Sequence, residues 1–155
     1  MVHARVSEEM PASCETVFDL VHDYERRLAW DTLLRTAFVE GGGAAARGAI
    51  AVCSGRWLVG GLTLRTVYVS FERGVVAAVK MLNRPPFFAR WAASIRHEPL
   101  GEQRSRIVYT YNFRVRPSVL AFVLEPILAR VFRWETRRRL RALRRALADD
   151  AARPG

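Results

Sequence analysis

The stretch RSRIVYTYNFRVRPSVLAFVLEPIL, residues 104–128, contains the change of pattern that decides the fold. As far as Val115, apolar residues alternate with arginines and other polar residues, which is typical of a strand with one buried face. After Pro117 the apolar residues recur at helical spacing, and this spacing continues to about Ala148. The stretch therefore predicts a last strand over residues 104–115 and one long amphipathic helix after it.

Upstream of this stretch, the pattern predicts six more strands and two short helices. The first strand covers residues 2–10, and Ser13 is placed to cap the first helix. A second short helix is predicted over residues 24–30. The remaining strands are predicted over residues 34–40, 49–58, 62–71, 75–82 and 88–98.

The connections between these strands are short, and Gly60-Gly61 and Pro99-Leu100-Gly101 are two of the predicted turns. Turns of hairpin length make the sheet antiparallel, and one amphipathic helix must cover one of its faces, so the fold class is α+β. A twisted sheet that curls around a single long helix leaves a space between them, which predicts an apolar ligand pocket. Residues 1–148 are expected to form one domain, with residues 149–155 as a flexible tail.

The net charge of +10 is concentrated near the C-terminus, because residues 104–145 hold twelve arginines and only two acids. Five arginines share one side of the predicted long helix, and we call them the basic stripe: Arg130, Arg133, Arg137, Arg141 and Arg144. A solvated helix face, or the arginine bias of a GC-rich genome, explains this stripe without a function. Contact with an anionic membrane or with a ribosome is the functional alternative. The stripe has no interleaved aromatic residues to stack on bases, and no sequence-specific DNA binding is expected.

The sequence lacks the motifs that mark several kinds of functional site. Cys14 and Cys53 fit no metal-ligand or redox spacing, and no glycine-rich phosphate loop is present. We therefore expect neither a metal nor a cofactor.

No apolar stretch reaches the roughly 20 residues of a membrane span, and the N-terminus has no signal-peptide core, so we expect a cytoplasmic protein. A monomer and a homodimer both remain open.

Several short motifs, in addition to the order of strands and helices, point to a known family. They are Met10-Pro11-Ala12, Val17-Phe18, Asp23, Trp30-Asp31, Pro126-Ile127-Leu128 and Leu140-Arg141-Ala142-Leu143. Together, the motifs and the order of elements resemble the START-like (SRPBCC) superfamily, in particular its polyketide cyclase/dehydrase and lipid-transport type. This resemblance implies the helix-grip fold, in which a curved seven-stranded antiparallel sheet wraps around a long C-terminal helix. It also implies a hydrophobic ligand such as a lipid, polyketide or quinone, for transport or presentation. The family shares no catalytic motif, so the resemblance implies no catalytic residue.

The inward faces of the last two strands and of the long helix supply the pocket candidates. These are Trp91, Ile95, His97, Tyr109, Tyr111, Phe113, Leu128 and Phe132. Aromatic rings give a ligand large apolar contact, and tyrosine hydroxyls can orient it. Plain core packing is the alternative explanation for each of them.

Four polar residues leave alternatives open. His97 has the strand parity of an inward residue and is a candidate general acid or base, although solvent can reach a strand end. Glu135 and Arg139 fall within the apolar arc of the long helix, where a mutual i,i+4 pair or a ligand head group would satisfy them. The direction of Arg65 cannot be settled from parity, and an arginine inside the pocket would suggest a carboxylate or phosphate ligand.

These observations favour a non-enzymatic protein that binds a hydrophobic ligand. One alternative is a polyketide or aromatic cyclase that uses Tyr109, Tyr111 or His97 to move protons. The other is an interaction protein that contacts a ribosome or a membrane through the basic stripe.

Overall fold

The computed structural model describes residues 1–56 and 62–153, and within them it contains seven strands and three α-helices. In chain order these are β1 (Val2–Met10), α1 (Cys14–Val21), α2 (Arg27–Trp30), β2 (Leu34–Val39), β3 (Ile50–Gly55), β4 (Thr63–Glu72), β5 (Val76–Met81), β6 (Phe88–Gly101), β7 (Arg104–Val115) and α3 (Ala121–Ala152), with a 3₁₀ turn at Ser118–Leu120 before α3.

The strands form one curled antiparallel sheet in the order β1-β7-β6-β5-β4-β3-β2. Neighbouring strands from β2 to β7 also follow one another along the chain, as short hairpin turns require. Strand β1 instead pairs with β7, so that Val2 lies opposite Phe113 and Met10 lies opposite Ser105. The α+β class and the helix-grip arrangement predicted from the sequence are therefore confirmed.

Helix α3 covers the inner face of the sheet with the C-terminal two thirds of its length. Phe132, Leu140, Leu143 and Leu147 are buried in the same core as the inward residues of β1 and β7. The start of the helix is different, because Phe122 is 80% exposed. The middle and end of α3 therefore carry its packing energy, in agreement with the apolar arc read from the sequence.

Helix α1 begins where its sequence predicts. The Ser13 side chain accepts a hydrogen bond from the backbone N–H of Thr16, which satisfies one free donor of the first turn. The predicted inward residues Val17, Phe18 and Val21 are all buried. The helix thus lies against the sheet on its apolar side.

Some element boundaries differ from the prediction. Strand β6 runs through the expected turn at Pro99-Leu100-Gly101, because Pro99 still pairs with Ser105 and a local irregularity before Gly101 accommodates it. Helix α2 begins at Arg27 rather than at residue 24. The expected Gly60-Gly61 turn and the end of the strand predicted over 49–58 lie outside the described residues.

Helix α3 ends later than predicted. It continues to Ala152, so residues 149–152 of the expected tail are helical, and Asp150 pairs with Arg26 at 2.7 Å. Pro126 lies inside the helix without ending it. No helix in the described ranges is both long enough and apolar enough to cross a membrane.

Candidate functional site

A cavity of about 100 Å³ lies between the inner face of the sheet and α3. Strands β3 to β7 provide most of its wall, the middle of α3 provides another part, and the segments before β2 complete it. Its surface is mostly apolar and aromatic, with a few polar groups. This is the composition of a small-molecule site.

Five of the eight predicted pocket residues line this cavity. They are Trp91, Ile95, Tyr109, Tyr111 and Phe132. Phe113 and Leu128 are not part of the wall. Phe113 is fully buried and its ring packs against Phe88 and Phe132, while Leu128 is partly buried against the core. That the wall residues contact a ligand stays a prediction.

His97 is buried, but it lies outside the cavity wall. It follows Trp91 and Ile95 on the same face of β6, at the end of the strand that α1 covers, and its ring centroid is 5.5 Å from that of Phe18. It is only 5% exposed, so solvent does not reach it as its position at a strand end had suggested. Burial lowers the pKa of His97 to about 4, which makes it neutral at pH 7.

Three buried charged residues, which we call the Asp31 triad, lie at one side of the cavity: Arg27, Asp31 and Arg139. The Asp31 Oδ2 atom accepts hydrogen bonds from Arg27 Nε at 2.8 Å and from Arg139 Nη2 at 2.6 Å. The side chain of Asp31 is fully buried, and each arginine side chain is 8% exposed. Burial alone would raise the pKa of Asp31, but the charges and hydrogen bonds of Arg139 and Arg27 outweigh it and lower the pKa.

Further contacts fix the orientation of the triad. The backbone N–H of Leu33 donates to Asp31 Oδ1 at 3.0 Å, and Arg27 Nη1 donates to the carbonyl of Val21 at 2.6 Å. The Arg27 guanidinium lies 5.1 Å from the ring of Trp30, and that of Arg139 lies 5.6 Å from the ring of Tyr109. Both arginines line the cavity. The triad thus places two cations in a largely apolar wall.

The expected pairing of Arg139 with Glu135 is wrong. Arg139 bonds to Asp31, which is 108 positions away in the sequence, and no salt bridge joins it to Glu135. Arg65 is not in the cavity, because it points to the outer side of the sheet and forms an exposed pair with Glu40 at 2.7 Å. The arginines that line the cavity are Arg139, for which a ligand head group was one predicted partner, and Arg27, which the sequence did not single out.

A chain of three hydrogen-bonding side chains forms another part of the wall. The Tyr68 hydroxyl lies 2.7 Å from the Tyr24 hydroxyl and 3.0 Å from His22 Nδ1. Burial, with smaller effects of Arg27 and His97, lowers the pKa of His22 to about 3. Burial also raises the pKa of Tyr68. All three groups are therefore neutral at pH 7, and protons can move between them along the chain.

Few sequence signals point to these polar residues. Trp30-Asp31 was noted as a motif, but no partner for Asp31 could be assigned. Arg27 precedes Asp31 by four positions, which is the spacing of a helical ion pair and was a usable signal. His22 and Tyr24 lie between two short helices, where no periodicity shows which way a side chain points.

The basic stripe is exposed along α3. All five of its arginines are accessible, and Arg144 forms a pair with Glu8 at 3.2 Å. The arginines on the outer face of β7 are partly compensated, because Arg104 and Arg106 both lie near Glu9. The geometry agrees with a solvated helix face, and a role in membrane or ribosome contact stays a prediction.

Comparison with known proteins places this geometry in context. The family model described as "Polyketide cyclase / dehydrase and lipid transport" matches residues 1–148. No curated protein sequence matches the chain significantly.

Solved structures with the same fold have low sequence identity. A START superfamily protein from Mycobacterium smegmatis is 14% identical, with 95% of this chain and 97% of that chain covered and a TM-score of 0.77. The Zhui aromatase/cyclase from Streptomyces sp. R1128 is also 14% identical, with 95% and 93% covered and a TM-score of 0.77. Norcoclaurine synthase from Thalictrum flavum, solved with dopamine and hydroxybenzaldehyde, is 10% identical, with 99% and 89% covered and a TM-score of 0.70. At these identities the likeness concerns the fold.

Replacement of Asp31 should test how much the triad stabilises the fold. Asp31→Asn keeps the shape of the side chain but leaves two buried guanidinium groups without a counter-charge, so we expect the free energy of unfolding to fall by about 3–5 kcal/mol. The matched control is Asp19→Asn, which removes an exposed pair with Arg73 and should cost less than about 1 kcal/mol. Urea denaturation measures both. Equal, small losses would contradict the structural role of the triad.

The two buried histidines should make stability depend on pH. As the pH falls through about 6.5, the unfolded chain takes up a proton on each imidazole, whereas the folded chain takes up none until about pH 4 for His97 and about pH 3 for His22. Stability is therefore complete above about pH 6.5 and decreases on acidification, by up to ~1.4 kcal/mol per pH unit for each histidine.

Urea denaturation between about pH 6 and pH 5 measures this slope. We expect His22→Asn and His97→Asn each to halve it. If the slope is unchanged in the double variant, groups other than these histidines cause it.

Proposed function

Because the chain belongs to the polyketide cyclase/dehydrase and lipid transport family, we propose that it binds a small hydrophobic ligand in the cavity between the sheet and α3. The observation that supports this function is the cavity itself, with its mostly apolar and aromatic wall. Protein interiors are otherwise close-packed, so an apolar space among rigid rings is well suited to a ligand. Each Å² of apolar surface removed from water would contribute about 25 cal/mol to binding.

The volume limits what the cavity holds in this shape. At about 100 Å³ it is smaller than the cavity of about 150 Å³ that accommodates a benzene ring in a model protein. A ligand with one ring or a short chain therefore needs only a small outward movement of the wall. A complete lipid, polyketide or quinone needs α3 or the facing strands to move further, with part of the ligand at the surface.

A cavity-filling substitution should abolish co-purification of the ligand. Leu64 lines the cavity from β4, so Leu64→Trp places an indole in the binding space. The matched control is Val69→Trp on the same strand, where the side chain is 43% exposed. We expect native mass spectrometry of protein purified from its own host to show a bound hydrophobic small molecule in the wild type and in Val69→Trp, but not in Leu64→Trp. An adduct that persists in Leu64→Trp, or a wild type with none, would contradict the proposal.

A second candidate function is that of a cyclase or another enzyme that moves protons in the same cavity. The chain from Tyr24 through Tyr68 to His22 is the observation that favours it. With its proton on Nδ1, His22 donates to Tyr68 and Tyr68 donates to Tyr24, so the Tyr24 hydroxyl is free to donate to a ligand carbonyl. In an enolisation the carbonyl oxygen would gain a proton through this chain, while the proton lost from the neighbouring carbon would pass to a water molecule of the solvent. The sequence had suggested Tyr109, Tyr111 and His97 for this task, and these residues are not members of the chain.

Enolisation of a ketone gives a direct assay for this activity. Acetophenone has one ring, and exchange of its methyl hydrogens in D₂O can be followed by NMR. If the chain acts in catalysis, the wild type accelerates the exchange, and Tyr68→Phe lowers that rate by about 100-fold or more. Tyr109→Phe removes a hydroxyl from the same cavity but leaves the chain intact, so it should retain the rate. No acceleration by the wild type, or equal loss in the two variants, would contradict a catalytic chain.

A further inference from the structure

The charged groups of the cavity wall are all of one sign. Among the described residues that line it, Arg27 and Arg139 are the charged side chains, and none is an aspartate or glutamate. Asp31 bonds to both arginines but does not itself line the cavity, and it supplies one negative charge against two positive ones. The Asp31 triad therefore retains one positive charge that its own members do not balance.

Other nearby groups do not supply the missing negative charge. Cys53 and Tyr68 line the cavity, and burial raises the pKa of both, so both are neutral. Burial also raises the pKa of Tyr24, so its hydroxyl is neutral too. Glu135 lies one helical turn before Arg139 but forms no salt bridge with it, because Arg139 pairs with Asp31 instead. The surroundings thus favour a negative charge that comes from outside the chain.

The hydrogen-bonding capacity of the arginines points the same way. A guanidinium has five N–H donors. The recorded bonds of Arg139 use only Nη2, and those of Arg27 use Nε and Nη1, within the described part of the chain. Guanidinium donors form their strongest bonds with anionic oxygens, such as those of a carboxylate or a phosphate.

We propose that the cavity selects hydrophobic monocarboxylates, with the carboxylate held by Arg27 and Arg139 and the apolar body against Trp91, Ile95 and Phe132. This inference rests on the proposed ligand-binding function of the cavity and names the chemical class of its ligand. One uncompensated positive charge matches a singly charged carboxylate better than a doubly charged phosphate. The small volume further favours an acid with one ring or a short chain.

The test compares molecules of nearly equal size that differ in charge. Phenylacetate, phenylethanol and phenylethylamine form one series, and octanoate, octanol and octylamine form a longer one in case the wall opens. Dissociation constants are measured with the full-length wild type by calorimetry or ligand-observed NMR. We expect each carboxylate to bind more than about tenfold tighter than its alcohol, and each amine to bind more weakly than the alcohol.

The outcomes separate this inference from the proposed function. If the alcohols bind as tightly as the acids, the cavity accepts apolar ligands but the selection of anions is overturned. If none of the six compounds binds, the inference is overturned, and the co-purification experiment with Leu64→Trp decides separately whether the proposed function stands. Neither result depends on a variant that must fold.

A variant then assigns the preference to the triad. Arg139→Gln removes one cation and leaves the neutral pair of Arg27 and Asp31, so it should reduce the ratio of acid to alcohol affinity to about one while the alcohol still binds. The matched control is Arg141→Gln, which removes an exposed cation from the same helix and should keep the wild-type ratio. A ratio that survives in Arg139→Gln, or that falls equally in Arg141→Gln, would overturn the assignment to Arg139.

Discussion

The buried carboxylate of Asp31 is the group on which the arrangement around the cavity depends. It follows α2, and through Arg139 it connects that end of the chain to the middle of α3. Charges inside a protein are tolerated only when each has a partner and its remaining hydrogen bonds are made. Asp31 meets this condition with three donors, so α3 can approach the sheet here only in a position that keeps the guanidinium groups around the carboxylate.

The same carboxylate also positions two groups of the cavity wall, Arg27 and Arg139. On either side of Arg139 along α3, Phe132 and Leu143 pack in the core that the helix shares with β1 and β7. In the cavity wall, the ring of Tyr109 lies 5.6 Å from the Arg139 guanidinium, and the apolar residues Trp91 and Ile95 line the same space. An apolar region and a charged region are thus adjacent in one enclosed space, which is the requirement for a ligand that has both.

The sequence correctly predicted which side chains of a strand or helix point inward. It did not predict which of these inward side chains line the cavity, or which residue pairs with Arg139. Alternation along β7 correctly predicted that Tyr109 and Tyr111 point inward, and both line the cavity. Phe113 points inward as well, but it lies beyond the end of the cavity. Periodicity shows the direction of a side chain and not how far the cavity extends along the strand. His97 on β6 also points inward without lining the cavity, and it lies at the opposite end of the cavity from Phe113. For Arg139, the local rule favoured Glu135 because it considers neighbours within one helical turn. Its true partner is distant in sequence, and only the folded chain brings the two together.

The position of β1 has a consequence for the order in which the protein folds. Its neighbour in the sheet is β7, so β1 has no pairing partner until residues near Phe113 have left the exit tunnel. The Asp31 triad is completed later still, when Arg139 has been made. Contacts this far apart in sequence slow folding, because a long loop must close before they form. The domain is therefore expected to reach its native state only after α3 has been made, and nascent chains that stop before α3 expose the inner face of the sheet to chaperones.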